Sequence, residues 1–230
     1  MFFLDPTYLI FMIPAFILMG ITSWYVRHAY TKWSRVRAGS GLTGYQAAQR
    51  LISTGNIYGL QIQGVAGKLT DHYDPRNKTL FLSSDVANSP SVASVAIAAH
   101  ELGHAMQDAE EYFPLRFRSA LVPVVNIGSN LGWILIMIGL VLRFTELAWL
   151  GVLVFAGGAL FALATLPVEF NASARAKQLL VQTGIIQSDE ERRGVNSVLN
   201  AAALTYVAGL ITAILQLLYY VFLVGGRRRD

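Results

Sequence analysis

Two histidines and a glutamate share one short stretch, AAHELGHAMQ, at residues 98–107. On a helix, His100 and His104 lie four residues apart, so they occupy one face, one turn from each other. Two imidazoles in this arrangement can bind one zinc ion, and Glu101 can reach the open side of that ion. There Glu101 can take a proton from zinc-bound water and pass it to a leaving amine. The stretch therefore predicts a zinc site that hydrolyses peptide bonds, and the alternative is a helix that merely carries two histidines.

The surroundings of this stretch favour a metal site. The flanking residues AIAA, LG and AM are uncharged, which indicates a buried helix face. Imidazoles and carboxylates that are buried together need partners, and a metal supplies them. The chain has four histidines, and two of them fall within the motif. Zinc would also need a third protein ligand and an open fourth position for water.

Glu169, in the run LATLPVEFNASARAKQLL, is the candidate third ligand. No other histidine follows shortly after His104, so the expected ligand is a carboxylate. Glu169 comes directly after an apolar segment, where a charge is costly unless it is paired or bound to metal. The alternative is a carboxylate at the N-terminus of a helix, where it would face the helix dipole.

Membrane helices are the elements that must position these residues. The 230 residues are 54% hydrophobic and 14% charged, whereas a soluble domain has about 25% charged residues. Four segments without Asp, Glu, Lys or Arg are long enough to span a bilayer. They predict helices near 7–26, 120–142, 147–166 and 202–224. Two spans separate His104 from Glu169, so both residues lie on one side of the membrane.

We therefore expect a mainly α membrane protein with about four transmembrane helices and a small α+β zincin-like domain. The expected divisions are an anchor at 1–26, the α+β domain with the HELGH helix at 27–118, a transmembrane hairpin at 119–166, a helix or loop with the third ligand at 167–201, and a transmembrane helix with a basic tail at 202–230. The first segment is predicted to be a retained anchor and not a signal peptide, because Asp5 is acidic and the basic residues come after it.

Local patterns within 27–118 predict the elements of the α+β domain. A helix follows Thr43 as N-cap and stops at Gly55. LQIQGV alternates as a strand does, and KLTDHYDPRNKTLFLS reads as two strands around a DPRN turn. The HELGH helix is predicted to begin with Ser89 as N-cap and Pro90 as the first helical residue.

Lysines and arginines near the span ends predict a multi-pass protein of the cell membrane with both long loops, and therefore the active site, on the cytoplasmic side. The 142–147 turn has a single basic residue, whereas basic residues gather at both ends of the 27–118 loop and in the 167–201 loop. The C-terminal GGRRRD argues for the opposite orientation, because four spans place it on the other side.

The runs LTDHYDP, LFLS, AAHELGHAMQ, LVPVVNIGSN and LPVEFNASARA, in this order, resemble the YugP family of bacterial membrane zinc metallopeptidases. The resemblance covers nearly the whole chain and is more distant to HtpX-type membrane proteases, which pair H-E-x-x-H with a downstream E-x-x-A-D. It implies an endopeptidase at the membrane surface with Glu169 as third zinc ligand. Its partners would be protein or peptide substrates, including membrane proteins, and the lipid bilayer. Ser173 stands where the HtpX-type aspartate would orient a zinc-binding histidine, which leaves the orientation of the histidines open.

Other residues have weaker claims to a role in the site. His72 and Tyr73 could donate to an oxyanion, or they are ordinary neighbours of a surface turn. Asn171 could hold a zinc ligand through a hydrogen bond. Arg175 could stabilise the oxyanion or face lipid head groups. The strand KTLFLS could hold an extended substrate as an edge strand, or serve only the fold.

Composition excludes or disfavours several other classes of protein. The chain has no cysteine, so disulfides and thiolate metal sites are excluded. The net charge of +4 is modest, and no nucleic-acid-binding pattern is present. A non-catalytic zinc-binding membrane scaffold is the main alternative, although a scaffold does not need Glu101. A metal transporter would need acidic or histidine ligands inside several spans, and these spans have none.

Overall fold

The computed structural model describes residues 5–55, 57 and 59–226. Within them the chain forms seven helices and three strands. The helices are α1 (Pro6–Trp33), α2 (Gly44–Thr54), α3 (Ser84–Asn88), α4 (Val92–Ala109), α5 (Phe113–Val141), α6 (Thr145–Gln182) and α7 (Asp189–Gly226). The strands are β1 (Gln61–Val65), β2 (His72–Asp74) and β3 (Thr79–Ser83).

Four of these helices, α1, α5, α6 and α7, are long and apolar enough to cross a membrane. The prediction of a mainly α membrane protein with four spanning helices and a small α+β element is confirmed. The basic tail beyond Gly226, on which the argument for the opposite orientation rests, lies outside the described residues.

The helices run further than the charge-free segments predict. Helix α6 continues through Pro167 to Gln182, and α7 begins at Asp189 instead of near 202. A search for charge-free runs finds only the length that crosses lipid, whereas a helix can continue into water with a polar face. Glu169 is therefore an interior residue of α6, and the alternative of a carboxylate at a helix N-terminus is wrong.

The chain divides into two compact units. The first consists of the described parts of 1–22, 116–167 and 205–230, which are the apolar portions of the four long helices. Its core includes Ile136, Val152 and Tyr219. Glycines bring α5 and α6 close together, since a Cβ on Gly139 would collide with the backbone nitrogen of Ala148. Small residues at such contacts allow the close backbone approach on which helix packing in a membrane depends.

The second unit consists of 23–115 and 168–204, and α4 lies at its centre. Twelve residues of α4 are buried. Its apolar side chains pack with those of α2, of the end of α6 and of the start of α7, and the fully buried members include Leu51, Leu102, Leu180 and Leu199. Burial on several sides fixes both the position and the rotation of the helix that carries the HELGH motif.

The three strands of the second unit form one mixed sheet in the order β1-β3-β2. Strand β3 pairs in parallel with β1 and antiparallel with β2. Just before the start of β2, the carboxylate of Asp71 accepts a hydrogen bond from the amide of Ser83 at 2.7 Å. The prediction that KTLFLS offers an edge to substrate is wrong, because β3 is the central strand and both of its flanks are paired.

The local predictions at the helix ends met different outcomes. Thr43 is the N-cap of α2 and forms a capping box with Gln46, and Gly55 is the C-cap, as predicted. The predicted start of α4 is wrong: Ser91 is its N-cap, while Ser89 ends the short helix α3. The carbonyl of Pro90 accepts a hydrogen bond from the amide of Ala38. The segment around Pro90 therefore pairs with a distant part of the chain instead of opening a helix.

Candidate metal centre

Helix α4 presents both histidines of the motif to one point. His100 and His104 are one turn apart, and their rings meet edge to face with centroids 4.9 Å apart. About a tenth of each side chain is exposed, 11% for His100 and 12% for His104.

Glu169 reaches the same point from α6. Its Oε2 atom lies 3.3 Å from Nε2 of His100 and 3.5 Å from Nε2 of His104. One ligand atom from each of the three residues can be chosen so that all lie within 4.8 Å of one another. The structure thus brings together the three residues that the sequence predicts as ligands.

The chemistry and spacing of this set fit zinc. Two imidazole nitrogens and one carboxylate oxygen are a common protein ligand set for a zinc ion that keeps a fourth position open. Zinc–nitrogen and zinc–oxygen bonds of about 2.1 Å in a tetrahedron separate neighbouring ligand atoms by about 3.4 Å. The two distances to Glu169 match that separation.

Close packing of α4 on α6 sets these distances. A Cβ on Gly103 would lie 2.6 Å from the carbonyl oxygen of Ala172, so only glycine allows the two backbones to be this near. Gly103 lies between His100 and His104 on α4, and Ala172 lies three residues after Glu169 on α6. The glycine of HELGH therefore determines how far Glu169 reaches toward the histidines.

The outward nitrogens of both histidines also have partners. Nδ1 of His100 lies 3.2 Å from the hydroxyl of Ser173, and Nδ1 of His104 lies 3.0 Å from Oε1 of Gln107. Each Nε2 atom is therefore turned toward Glu169. Ser173 does stand beside a site histidine, in the place that an aspartate takes in the HtpX-type pattern.

Glu101 lies between His100 and His104 in sequence and is half-buried. Desolvation raises the pKa of its carboxyl above the usual range, against the attraction of the two histidines, and the charge of Glu169 adds to the rise. For His104, burial opposes protonation, but the hydrogen bond to Glu169 and the charge of Glu101 hold the pKa of the ring above its usual value. A carboxyl whose pKa lies above its usual value suits a group that takes and returns a proton.

Comparison with known proteins places these residues in a family. Residues 8–225 match the family model described as "Putative neutral zinc metallopeptidase". A protein of Bacillus subtilis (strain 168), described as "Putative membrane protease YugP", is 40% identical over 218 residues, which cover 94% of this chain and 96% of that protein. This chain belongs to the neutral zinc metallopeptidase family. No solved structure matches it.

The other residues that the sequence singled out differ in their relation to the triad of His100, His104 and Glu169. The hydroxyl of Tyr73 donates to Oδ2 of Asp108 on α4 at 2.8 Å. The exposed ring of His72 stacks on Phe81, and its Nδ1 atom lies 2.8 Å from the carbonyl of Thr70. Neither contact involves a member of the triad, and Tyr73 would have to leave Asp108 to donate to a substrate.

Asn171 and Arg175 belong to one chain of hydrogen bonds on α6. The Oδ1 atom of Asn171 accepts from Nε of Arg175 at 2.7 Å and from Nε2 of Gln107 at 2.9 Å. Both terminal nitrogens of Arg175 donate to the two carboxylate oxygens of Glu110, each at 2.7 Å. The charge of the guanidinium is therefore neutralised by Glu110. Hydrogen bonds from Arg175 lower the pKa of the Glu110 carboxyl, although slight desolvation opposes this.

Gln107 and Glu110 are the residues around the candidate metal centre that the sequence did not single out. Gln107 stands three residues after His104, on the same helix face, and this spacing could have drawn notice. Its partners on α6 are distant in sequence, and only the fold brings them near.

Proposed function

We propose that this family member is a membrane-embedded, zinc-dependent endopeptidase in which Glu101 is the general base. The observation that carries the proposal is the convergence of His100 and His104 on one oxygen of Glu169, with the desolvated carboxyl of Glu101 near all three. His100, His104 and Glu169 would hold the zinc ion, and Glu101 remains available for proton transfer.

The zinc ion, when bound, would supply Lewis-acid chemistry that activates water and polarises the peptide carbonyl. The carboxylate of Glu101 takes one proton from the attacking water as the oxygen bonds to the carbonyl carbon. The carbon–nitrogen bond then breaks, and Glu101 returns the proton to the departing amine. Burial of the three ligands fixes their geometry before substrate arrives, which lowers the cost of reaching the transition state.

The non-catalytic scaffold gains no support from the site. A scaffold needs the histidines and Glu169, but it has no use for a desolvated carboxyl at position 101. Desolvating an ionisable group costs free energy. Proton transfer in the peptidase reaction would make use of such a carboxyl, whereas a scaffold would not.

The location proposed is the cell membrane, crossed four times, with the site on the cytoplasmic side. Two spans lie between His104 and Glu169 in sequence, so the ligands share a side in either orientation. Substrates at that place are membrane proteins or short cytoplasmic segments next to the bilayer.

Replacement Glu101→Gln tests the mechanism, because it keeps the shape of the side chain but removes its ability to accept a proton. We expect zinc content of the full-length protein in detergent to stay at the wild-type level. Cleavage of casein or of a single-span membrane protein should fall by about 10²–10⁴-fold, the usual contribution of a general base. Metal analysis and gel-based cleavage rates measure the two effects separately.

Glu190→Gln is the matched control, because Glu190 is exposed at the start of α7 and is not part of the site. This variant should cleave at the wild-type rate. Undiminished cleavage by Glu101→Gln would rule out Glu101 as the base, whatever the protein binds.

A further inference from the structure

We propose that Gln107 is a positioning residue, which sets the protonation pattern of His104 and ties α4 to α6 next to Glu169. The proposal rests on the zinc site proposed above and extends it to a residue that would not touch the metal. Gln107 is fully buried, and its side chain bonds to three different residues.

The orientation of the Gln107 amide follows from a neighbouring group that can only accept a hydrogen bond. The side-chain nitrogen of Gln107 lies 2.8 Å from the backbone carbonyl of Val168. A carbonyl oxygen can only accept, so the amide nitrogen must face it. The reversed amide would place two acceptor oxygens against each other at this distance.

A second neighbour requires the same orientation. The Oδ1 atom of Asn171 faces Nε of Arg175 at 2.7 Å, and a guanidinium can only donate. Asn171 therefore turns its oxygen to this point, and the same oxygen lies 2.9 Å from the Gln107 nitrogen. Both hydrogens of the Gln107 amide are thus used, one by Val168 and one by Asn171.

The fixed amide in turn determines which nitrogen of His104 carries a proton. The Gln107 oxygen lies 3.0 Å from Nδ1 of His104. Because this oxygen can only accept, Nδ1 must be the protonated ring atom. Nε2, which faces Glu169, is then the atom left to bind metal, and the partner of the other nitrogen selects it.

The two histidines differ in how firmly they are set. The partner of His100 is the hydroxyl of Ser173, and a hydroxyl can either donate or accept. The hydroxyl therefore leaves the ring of His100 free to carry its proton on either nitrogen. The Gln107 oxygen can only accept a hydrogen bond from His104. The nitrogen of the same amide holds it in place through the carbonyl of Val168, the residue before Glu169.

Gln107→Leu tests the proposal, because leucine fills a similar volume but makes no hydrogen bond. In full-length protein in detergent we expect zinc affinity to fall by about 10–100-fold, as for loss of a histidine partner in other zinc sites. Gln107→Glu keeps an acceptor oxygen for His104 but turns a second acceptor toward Val168 and Asn171, so its zinc affinity should lie between those of the wild type and Gln107→Leu. Competition with a chelator of known affinity measures all three proteins.

Val95→Ala is the control for simple destabilisation, because Val95 is fully buried on the same helix and lies in the apolar core. It should lower the melting temperature of the metal-free protein but change zinc affinity by less than about threefold. If the affinities of all variants follow their melting temperatures, Gln107 is only a packing residue and the proposal is overturned.

A spectroscopic measurement does not depend on whether Gln107→Leu folds. In zinc-loaded wild-type protein with ¹⁵N-labelled histidine, His104 should carry its proton on Nδ1, and its signal should be the one that shifts in Gln107→Glu. A proton on Nε2 would overturn the positioning role. Wild-type protein that binds no zinc would instead overturn the proposed function, and with it this inference. Wild-type protein that binds zinc no more tightly than Gln107→Leu would overturn the inference alone.

Discussion

Glu169 illustrates how a single residue organises the site. It is 3% exposed in the interior of α6, and its Oε2 atom lies within 3.5 Å of both imidazole Nε2 atoms. A buried carboxylate is tolerated only where charge or hydrogen-bond partners compensate its lost hydration. The histidines provide that compensation, and a bound zinc ion would provide more.

Glu169→Ala should therefore weaken zinc binding more than any change to an outer partner. We expect a loss greater than about 100-fold, above the range that removal of an outer hydrogen-bond partner produces. Chelator competition on the full-length protein measures it, with exposed Glu190→Ala as the control that should bind as tightly as wild type. Unaltered zinc affinity in Glu169→Ala would exclude Glu169 as the third ligand.

The packing of α4 on α6 governs the site at the scale of elements. Each helix carries part of the ligand set, so the distance between the two backbones sets the distance between ligands. At Gly103 there is no room for a methyl group against the carbonyl of Ala172. The three candidate ligands lie within one helical turn of this contact, on one helix or the other. A shift of a few tenths of an ångström at Gly103 would therefore move them directly.

Gly103→Ala should consequently separate the two helices and loosen the metal centre. Overpacking of this kind typically costs about 1–3 kcal/mol of stability, and we expect zinc affinity to fall by at least about tenfold. Thermal unfolding and chelator competition measure the two effects. Gly157→Ala is the matched control, since a Cβ at Gly157 on α6 meets nothing within 4 Å. Zinc binding by Gly103→Ala at wild-type strength would show that this spacing does not control the site.

Sequence reasoning succeeded where the physical signal is local. The apolar runs locate the four spans, the spacing of His100 and His104 locates the motif, and a charge beside lipid points to Glu169. It failed where the outcome depends on distant pairing. The central position of β3 depends on its parallel pairing with β1, and the start of α4 depends on the contact between Pro90 and Ala38.

Gln107 shows the same limit within the site. Its side chain is visible in AAHELGHAMQ, but its role depends on the carbonyl of Val168, which any residue at that position would supply. No pattern of residue types can indicate a backbone partner 61 residues away. The outer hydrogen bonds around such a cluster therefore require the fold, although the three residues of the candidate metal centre could be read from the sequence.

The membrane constrains the whole molecule through the order of its spans. Helix α4 comes after the first candidate span, and Glu169 comes after the apolar part of the third, so two candidate spans separate His104 from Glu169. Only an even number of crossings lets the three residues meet. The bias of basic residues then proposes which side this is, because Arg27, Lys32 and Arg35 follow the first span directly, whereas the turn between α5 and α6 contains only Arg143.

Cysteine labelling can test this topology cleanly, because the natural chain has no cysteine and the unaltered protein should give no signal. Ser53→Cys on α2 and Glu190→Cys on α7 place exposed thiols on the two long loops, and Leu142→Cys places one in the turn between α5 and α6. In intact cells stripped of their wall, a membrane-impermeant maleimide should label only Leu142→Cys. After the membranes are opened, it should label all three.

Labelling of positions 53 and 190 from opposite sides would contradict four spans with a shared metal site, whereas labelling of both from outside would retain the site and reverse its orientation. The distinction matters for substrate, because an outward-facing site would meet segments on the outer surface of the membrane instead of those next to the cytoplasm.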